Sequence, residues 1–453
     1  MIRFLLNKQV PILFLISIFT FISCSKDSEE PDQIETTVTA SDFSISMDVN
    51  PTNGQVIGTV QVSTNQGAVT FSITEQDPVG AFSIDAASGE LKVADESLFD
   101  FETNPSITGT VKVANGSVFE NASVTISLND VIEDNIFDGN VALRTQAEVD
   151  EFGTHNYIGI TGYLIVGYNL GTDYSNIKDL SPLEALTFVD GEIIISNNEN
   201  LQNLVGLDNL SQIGSSLSIY ENSVLATLES LSNLTVINKD LSLINNDSLT
   251  SFNGLHNIIS VGQYLTVMGI PVVNLNGLHH LTSARSLVIS YNPNLENLDA
   301  LSGITAMSFL LLIEANPSLV SLDALQNVNS TISRIRILDN ESLLNLNGLT
   351  NIGVDEDIVI SNNRSLTSMS GLESVTNLAR GIQIEKNENL LNLNGLENLI
   401  EASLQFLAWQ NPNLSDFCAI KNLCISGTVN SFHTETNAYN PTKQDIIDGN
   451  CSL

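Results

Sequence analysis

One short phrase recurs along the second half of the chain at steps of 23 or 24 residues, and this period constrains the fold more than any other feature. Each copy combines an aliphatic strand, an Asn or Gly and a run of spaced leucines, as in IISNNENLQNLVGL and IVISNNRSLTSMSGL. We call the place of this Asn or Gly the ladder position; it is held by Asn198, Asn222, Asn246, Gly269, Asn292, Asn316, Asn340, Asn363, Asn387 and Asn411. A fixed period near 24 residues is typical of stacked supersecondary units, so this region is predicted to be a solenoid.

The ladder position holds only Asn and Gly. Both residue types tolerate a left-handed backbone, which predicts a tight corner with positive φ at this position and Asn amides that stack from coil to coil. Before the corner, aliphatic residues alternate with others, as at Ile358 and Ile360. This alternation predicts one strand per coil, with the alternating aliphatic side chains pointing inward.

Eight residues after the ladder position, every coil carries a small residue. The set is Gly206, Ser230, Gly254, Gly277, Ala300, Ala324, Gly348, Gly371, Gly395 and Ala419. A small residue at a fixed place in each coil predicts close approach of backbone to backbone. We therefore expect no room for a bulky side chain at this position.

Strand, Asn corner, Leu-x-x-Leu and small residue in this succession resemble the receptor L-domain type of leucine-rich β-helix, over residues 141–453. The resemblance implies a right-handed solenoid whose long sheet presents a binding face. Near the start of this region, Thr145 and Glu148 have the spacing of a capping box, which predicts a short helix over the first coil.

The C-terminal tail, NAYNPTKQDIIDGNCS, resembles the closing cap of the same family. Three cysteines lie in this part of the chain, Cys418, Cys424 and Cys451, and the residues alone leave their pairing open. The resemblance implies a disulfide between Cys418 and Cys451 that ties the tail to the last coil. Cys424 is then expected to be free and buried.

The N-terminus resembles a bacterial lipoprotein signal peptide of the Bacteroidetes type. Two basic residues precede an apolar run at 10–22 that is too short to span a bilayer comfortably. The small residue before Cys24 resembles a lipobox, so residues 1–23 are predicted to be removed and Cys24 to carry the lipid. Residues 24–35 are acidic; they resemble a signal for export to the outer face of the outer membrane, and by composition alone they form a solvated tether.

Residues 36–131 have a different texture, with period-two strands such as VTFSI and GTVKVA separated by turn residues. This pattern predicts a β-sandwich. The segment FSIDAASGELKV, the following Asp-Phe-Glu and a closing Asn-Asp resemble a cadherin-type repeat. The resemblance implies four calcium ligands, Asp100, Glu102, Asn129 and Asp130. Calcium takes six to eight oxygens, so this set alone is incomplete, and a full site needs Glu133 or Asp134 from the linker. The alternative is that these residues only mark turns of the sandwich. Residues 132–140 are the predicted linker to the solenoid.

Composition and charge limit the function. With 52 acidic and 16 basic residues the formal net charge is −36, which argues against nucleic acids and anionic membrane surfaces as partners. Right-handed β-helices include polysaccharide lyases and hydrolases, which need convergent carboxylates or a calcium site beside a basic residue. The densest acidic cluster, 355–357, has the spacing of a coil turn, where solvated charges need no function. The chain is therefore predicted to be non-catalytic.

The outward face of the long sheet carries the functional prediction. Residues two and four before each ladder position include aliphatic and aromatic side chains where contact with water alone favours polar ones. The predicted binding residues are Tyr220, Ile244, Arg336, Leu338 and Trp409. The alternative is that such residues merely suit a strand. The prediction is thus an all-β, lipid-anchored cell-surface protein that binds an extracellular protein in adhesion or recognition, or alternatively a glycan, with calcium as the one candidate cofactor.

Overall fold

The structure, a computed structural model, describes residues 34–101, 103–129, 135–168 and 173–453. The chain divides into two compact units, residues 1–132 and 133–453. In the described parts of both units, the regular secondary structure is mostly β-strand.

The described residues of the first unit form nine strands in three sheets. They are β1 Val38–Ala40, β2 Phe43–Asp48, β3 Val56–Thr59, β4 Val62–Thr64, β5 Thr70–Asp77, β6 Phe82–Ile84, β7 Glu90–Val93, β8 Ser106–Asn115 and β9 Val118–Asn129. The order β2-β9-β8-β5 forms the largest sheet, β3-β7-β6 forms a second and β1-β4 a third. Side chains from the first two sheets, such as Ile107 and Leu91, share one buried core, which the period-two pattern produces by placing alternate residues on one face.

The second unit contains the repeats. Its strands are β10 Ile136–Phe137, β11 Val141–Leu143, β12 Gly159–Ile160, β13 Leu164–Gly167, β14 Phe188–Val189, β15 Ile193–Ser196, β16 Gln212–Ile213, β17 Leu217–Tyr220, β18 Val236–Ile237, β19 Leu241–Ile244, β20 Ser260–Met268, β21 Ser283–Ser290, β22 Leu310–Glu314, β23 Thr331–Leu338, β24 Gly353–Ser361, β25 Asn377–Leu378, β26 Gly381–Glu385, β27 Glu401–Trp409 and β28 Thr428–Glu435. Its helices are α1 Gln146–Gly153, α2 Lys421–Ile425 and α3 Lys443–Ile447.

One large parallel sheet runs through the repeats, in the order β11-β13-β15-β17-β19-β20-β21-β22-β23-β24-β26-β27, and β28 pairs with β27. Successive coils are in register, so that Ile337 pairs with Ile360 and then Ile384. These inward side chains are fully buried. The large parallel sheet is compatible with the predicted β-helix or solenoid, and each coil adds one strand to it. A shorter sheet, β10-β12-β14-β16, begins inside the predicted linker at Ile136.

The ladder position is not the corner that the sequence predicted. Positive φ occurs one residue earlier, for example at Asn362 with φ 55° and Ala315 with φ 52°. The ladder Asn residues are fully buried, and the predicted stacking of their amides is confirmed, since they form a hydrogen-bonded column from coil to coil. Asn316 donates its backbone N–H to Asn340 Oδ1 at 3.1 Å and its Nδ2 to the Ile289 carbonyl at 2.9 Å. Asn occupies this position because its amide bonds to two neighbouring coils, not because of its backbone conformation.

The assignment of Gly269 to the ladder was therefore wrong by one residue. Gly269 has φ 64° and occupies the corner, while Ile270 fills the place of the ladder Asn. Ile270 is fully buried and donates its N–H to Asn292 Oδ1 at 3.0 Å. Because Ile270 has no amide, it offers Asn246 no side-chain acceptor, and the column is interrupted at this coil. The column also extends further than predicted, since Asn411 donates its N–H to Asn437 Oδ1 at 3.0 Å.

Eight residues after the ladder position, the predicted close approach of backbone to backbone is confirmed for the glycines. A Cβ built on Gly206, Gly277 or Gly371 would lie 1.8–2.1 Å from a carbonyl oxygen of the preceding coil, and each of the three has positive φ. Other coils form a 3-10 helix at this place, and there Ala300 and Ala324 occupy the position. A bulky residue would push adjacent coils apart.

Two further rows of short polar residues were not predicted. In the first, a side chain donates to a carbonyl 24 or 25 residues earlier: Asn233 to Asp208 at 2.6 Å, and Asn398 to Glu373 at 2.8 Å. In the second, a side-chain oxygen caps the N–H two residues later, as Asn345 does for Asn347 at 3.1 Å. These rows satisfy backbone groups that the coil turns leave without strand partners.

Candidate ligand-binding face

The outward face of the large sheet consists of residues that alternate with the buried ones. Register places Tyr220 beside Ile244 and Ile244 beside Met268 on adjacent strands. Leu338 lies in the same row, four strands from Ile244, and Trp409 lies three strands further. At about 4.8 Å per strand these separations are about 19 and 14 Å. The five predicted residues therefore divide into three groups along the face.

The central group is the largest, and we call it the arginine patch. It consists of Phe309, Leu310, Leu312, Arg334, Arg336, Leu338, Glu356 and Asp357. Register places Leu310 beside Arg334 and Leu312 beside Arg336. The three leucines are half-buried. The patch thus places the apolar side chains of β22 beside two guanidinium groups of the neighbouring strand, β23.

Ion pairs fix the arginine side chains of the patch. Arg334 Nη2 lies 2.6 Å from Glu356 Oε2, and Arg336 Nη2 lies 2.7 Å from Asp357 Oδ2. The side chains remain partly accessible, with 33% of Arg334 and 25% of Arg336 exposed. Arg334 also lies over the ring of Phe309, with 5.8 Å between the guanidinium carbon and the ring centroid. Such pairs hold the guanidinium groups in one orientation.

The acidic cluster is not at a coil turn, contrary to the sequence prediction. Residues 355–357 lie inside β24, and Asp357 pairs in register with Arg334. The strands β20, β23 and β24 extend further toward their N-termini than the repeat phrase predicts, which adds a third outward row. Phe309 and Leu310 belong to this missed part of the face; the period-two alternation of Leu310 with Leu312 is the signal that could have identified it.

Trp409 forms a separate group at the C-terminal end of the face. Its Nε1 donates a hydrogen bond to Glu385 Oε2, and Lys386 Nζ lies 5.7 Å from the ring centroid. Glu385 also accepts from Ser361 Oγ at 3.0 Å. The indole is therefore oriented by neighbouring coils and half-buried.

A cleft opens on the face between the arginine patch and Trp409. Its volume is about 230 Å³, and the polar side chains that line it are Asp357, Arg380, Gln383 and Gln405. Gly381 lies at its base, where an added Cβ would meet the Gln405 carbonyl at 1.9 Å. Planar amide and guanidinium groups in a shallow cleft suit ligands with several hydroxyl groups.

The predicted calcium ligands are described only in part. Asp100 Oδ1 accepts the Thr103 N–H at 3.0 Å, and Asn129 Nδ2 donates to Asp48 Oδ1 at 2.9 Å. Glu102 and Asp130 lie outside the described residues, so the calcium site stays a prediction. Elsewhere in the described ranges no three His, Cys, Asp or Glu side chains are grouped to hold a metal ion.

The C-terminal cap contains the disulfide that the family resemblance implied. Cys418 and Cys451 are bonded, with 4.9 Å between their Cα atoms. Cys424 is free and buried, and desolvation raises the pKa of its thiol to about 11. At the other end, Thr145 and Glu148 form the predicted capping box of α1.

Cys24 and the apolar segment 10–22 lie outside the described residues. None of the helices in the described ranges combines the length and the hydrophobicity that a membrane span requires. The lipid attachment at Cys24 therefore stays a prediction.

No protein-family model and no curated protein matches the chain. Solved structures with weak similarity include cadherin domains 3–6 of protocadherin gamma B2, at 20% identity and TM-score 0.20, over 22% of this chain and 23% of that one. Mouse cadherin-23 domains 22–24 match at 19% identity and TM-score 0.18, over 24% and 38%. A putative alpha-galactosidase from Bacteroides fragilis matches at 10% identity and TM-score 0.16, over 46% and 52%. The chain thus spans less than two thirds of each of these proteins.

Proposed function

We propose that this protein is a non-catalytic cell-surface lipoprotein that recognises an extracellular protein through the arginine patch of its solenoid. The observation that carries the proposal is the coexistence of half-buried Leu310, Leu312 and Leu338 with Arg334 and Arg336 on one exposed sheet face. Apolar side chains beside arginine are typical of the centre of protein interfaces.

The ion pairs favour binding because they order the patch before a partner arrives. Immobilising a long side chain on association costs about 0.5–1.5 kcal/mol. Arg334 and Arg336 are already held by Glu356 and Asp357, so less of this cost falls on complex formation. Residues further along the face, such as Tyr220, would extend the contact for a larger partner.

The first unit is proposed to act as a cadherin-like spacer, with the lipid at Cys24 anchoring the chain to the outer membrane. Calcium bound by Asp100, Glu102, Asn129 and Asp130 would stiffen the end of this unit. The solenoid, proposed to be a right-handed β-helix of the receptor L-domain type, would then present its face to the medium.

No reaction is assigned to the face. Hydrolysis of a glycosidic bond uses two carboxyl groups about 5–10 Å apart. The cleft is lined by one, Asp357, and this carboxylate is paired with Arg336 at 2.7 Å. An ion-paired carboxylate without a second one across the cleft is better suited to holding an arginine than to proton transfer.

Glycan capture is the second candidate function, and the cleft is the observation that favours it. Arg380, Gln383 and Gln405 offer donors and acceptors for sugar hydroxyls within about 230 Å³. That volume suits one or two sugar rings at most. The protein reading is preferred because the arginine patch places three half-buried leucines beside two ordered guanidinium groups, whereas most side chains that line the cleft are polar.

Binding screens test both candidates. We would present the chain from Ser25 onward to arrays of extracellular matrix proteins and of glycans, with calcium and with a chelator. A protein ligand lost on Leu312→Glu supports the proposal, whereas a glycan ligand lost on Gln383→Ala supports the alternative. Leu344→Glu is the matched control, because Leu344 is 56% exposed on a coil turn away from the sheet face. Binding that survives both patch and cleft variants would refute the assignment to this face.

A further inference from the structure

The two ends of the solenoid differ in how they are closed. At the N-terminal end, β11 has three residues and is followed directly by α1, whose Val149 is fully buried in the core. At the C-terminal end, β28 has eight residues, Thr428–Glu435, and pairs with β27 on one side. In the described residues no strand pairs with the other side of β28. The C-terminal end therefore presents a long open sheet edge.

The core beneath β28 is incompletely covered. Phe432 pairs in register with Phe406 and stacks on it, with ring centroids 5.1 Å apart. Phe406 is fully buried, but Phe432 is only partly buried, as is Val429. The tail packs Ile446 into the core and closes the cap near Phe417. The strand side of the last coil thus keeps apolar surface that its counterparts in earlier coils bury.

The hydrogen-bonding groups of the edge can be identified from the register. Glu435 accepts the Gln410 N–H at 3.0 Å, so the backbone of Glu435 faces β27. The backbone N–H and carbonyl groups of successive strand residues point alternately to the two neighbouring strands. The backbone groups of Phe432 and Thr434 therefore point away from β27. These groups are placed to pair with another strand.

The low charge of the β28 edge favours contact between two copies of this chain at that edge. Contact through acidic parts of the surface would bring like charges together. The chain has a formal net charge of −36, yet β28 carries one carboxylate, Glu435, which lies 3.0 Å from His433 Nε2. In an antiparallel pair related by a twofold axis, the two Glu435 side chains would lie at opposite ends of the contact. The edge is therefore a place where two acidic chains can approach with little repulsion.

We propose that β28 pairs antiparallel with β28 of a second copy and makes the protein a twofold-symmetric dimer. Backbone hydrogen bonds from Phe432 and Thr434 of each chain would join the two large sheets into one. Each Phe432 side chain would come closer to its counterpart and lose part of its remaining exposure. This dimerisation is independent of the ligand-binding face, since β28 contacts its partner through the sheet edge.

Sedimentation velocity of the full chain in a mild detergent, from about 1 to 100 µM, tests the proposal. We expect a monomer–dimer equilibrium that Thr434→Pro weakens at least tenfold, because proline removes an outward N–H and the twofold axis applies the loss twice. The matched control is Thr434→Val, which keeps the N–H but loses the side-chain bond to the Pro441 carbonyl, and should change the dissociation constant less than threefold. A monomer throughout the range, or equal effects of the two variants, would overturn the proposal.

Cross-linking gives an answer that does not depend on how Thr434→Pro folds. Ser431 lies on the outward face of β28. In the proposed pairing Phe432 lies opposite Phe432 of the second copy, which makes the two Ser431 residues diagonal neighbours, about 7–8 Å apart. A bismaleimide of that span should link Ser431→Cys chains into dimers in more than half of the molecules, while Ser308→Cys, at an exposed position elsewhere, should stay below a tenth. Equal yields for the two cysteine variants would contradict β28 as the contact.

Discussion

Two adjacent asparagines allow the hydrogen-bonded column to be separated from the corner. Asn362 occupies the corner, with φ 55°, and Asn363 occupies the ladder position, where it is fully buried. Replacing each in turn by glycine applies the same chemical change to neighbouring positions. Glycine suits the positive φ of the corner, whereas the ladder position needs the side-chain amide. We therefore expect glycine to cost little stability at Asn362 and much more at Asn363.

The cost of Asn363→Gly follows from the bonds that the side chain makes. Its Oδ1 accepts the Asn340 N–H at 3.1 Å, and its Nδ2 donates to the Ile337 carbonyl at 2.8 Å. Removing the amide leaves both of these buried backbone groups without that partner, at about 1–3 kcal/mol each. The expected loss of stability is about 2–6 kcal/mol.

Asn362→Gly should change stability by no more than about 1 kcal/mol. Its side chain is partly exposed and donates to Asp339, a bond of little net value at the surface. Glycine adopts φ 55° without strain but gains about 0.5–1 kcal/mol of flexibility in the unfolded chain, and these effects oppose each other.

Urea denaturation followed by tryptophan fluorescence measures both variants, because the single tryptophan, Trp409, lies in the solenoid. For an unfolding slope near 3 kcal/mol/M, Asn363→Gly should lower the midpoint by about 0.7–2 M, and Asn362→Gly by less than about 0.4 M. Equal midpoints for the two variants would refute the assignment of column and corner.

Three further predictions follow from named contacts. Ala315 is held at φ 52°, which costs an alanine about 1–2 kcal/mol, so Ala315→Gly should stabilise the solenoid by about 0.5–1 kcal/mol in urea titration; Ala300→Gly, in a 3-10 helix, should destabilise it. Gly371→Leu should lower the melting temperature by more than 10 °C, measured by circular dichroism, because an added Cβ would lie 2.0 Å from the Leu346 carbonyl oxygen. Cys424 should be alkylated slowly by iodoacetamide at pH 8 in the native protein and quickly in urea, since burial raises the pKa of its thiol to about 11; equal rates would contradict its burial.

The inward half of the solenoid could be predicted from the sequence. Period-two alternation identified Ile358 and Ile360, and both are fully buried on the inward side of the same strand, β24. This succeeds because alternation in a strand is a direct consequence of backbone geometry. The close packing at the glycines eight residues after the ladder position was equally predictable from the sequence, since no residue with a Cβ fits at Gly371 without movement of its neighbours.

The ladder was assigned the wrong physical role because Asn and Gly share one property and differ in another. Both adopt positive φ easily, which suggested the corner. The corner itself accepts Lys386, Ala315 and Gln410, so it selects residue type only weakly. Selection for Asn at the ladder comes from amide bonding between coils. The predicted stacking of the amides was correct, and only the backbone conformation was assigned to the wrong residue.

The candidate site was predicted in part. The prediction that residues two and four before each ladder position lie on the outward face was correct for Arg336 and Leu338, which are both in β23. The third row was missed because the repeat phrase is anchored at the ladder, and the strands vary in length at their other end. The pairing of Arg334 with Glu356 could not be predicted either, since it depends on the register between β23 and β24.

A paired affinity measurement tests whether the arginine patch binds an extracellular protein. For the strongest protein ligand from the array, surface plasmon resonance would compare Leu312→Glu with Leu344→Glu, both leucine-to-glutamate changes on the solenoid. We expect at least a tenfold loss of affinity for Leu312→Glu and less than a threefold change for Leu344→Glu. Equal affinities would contradict the assignment of ligand binding to the patch.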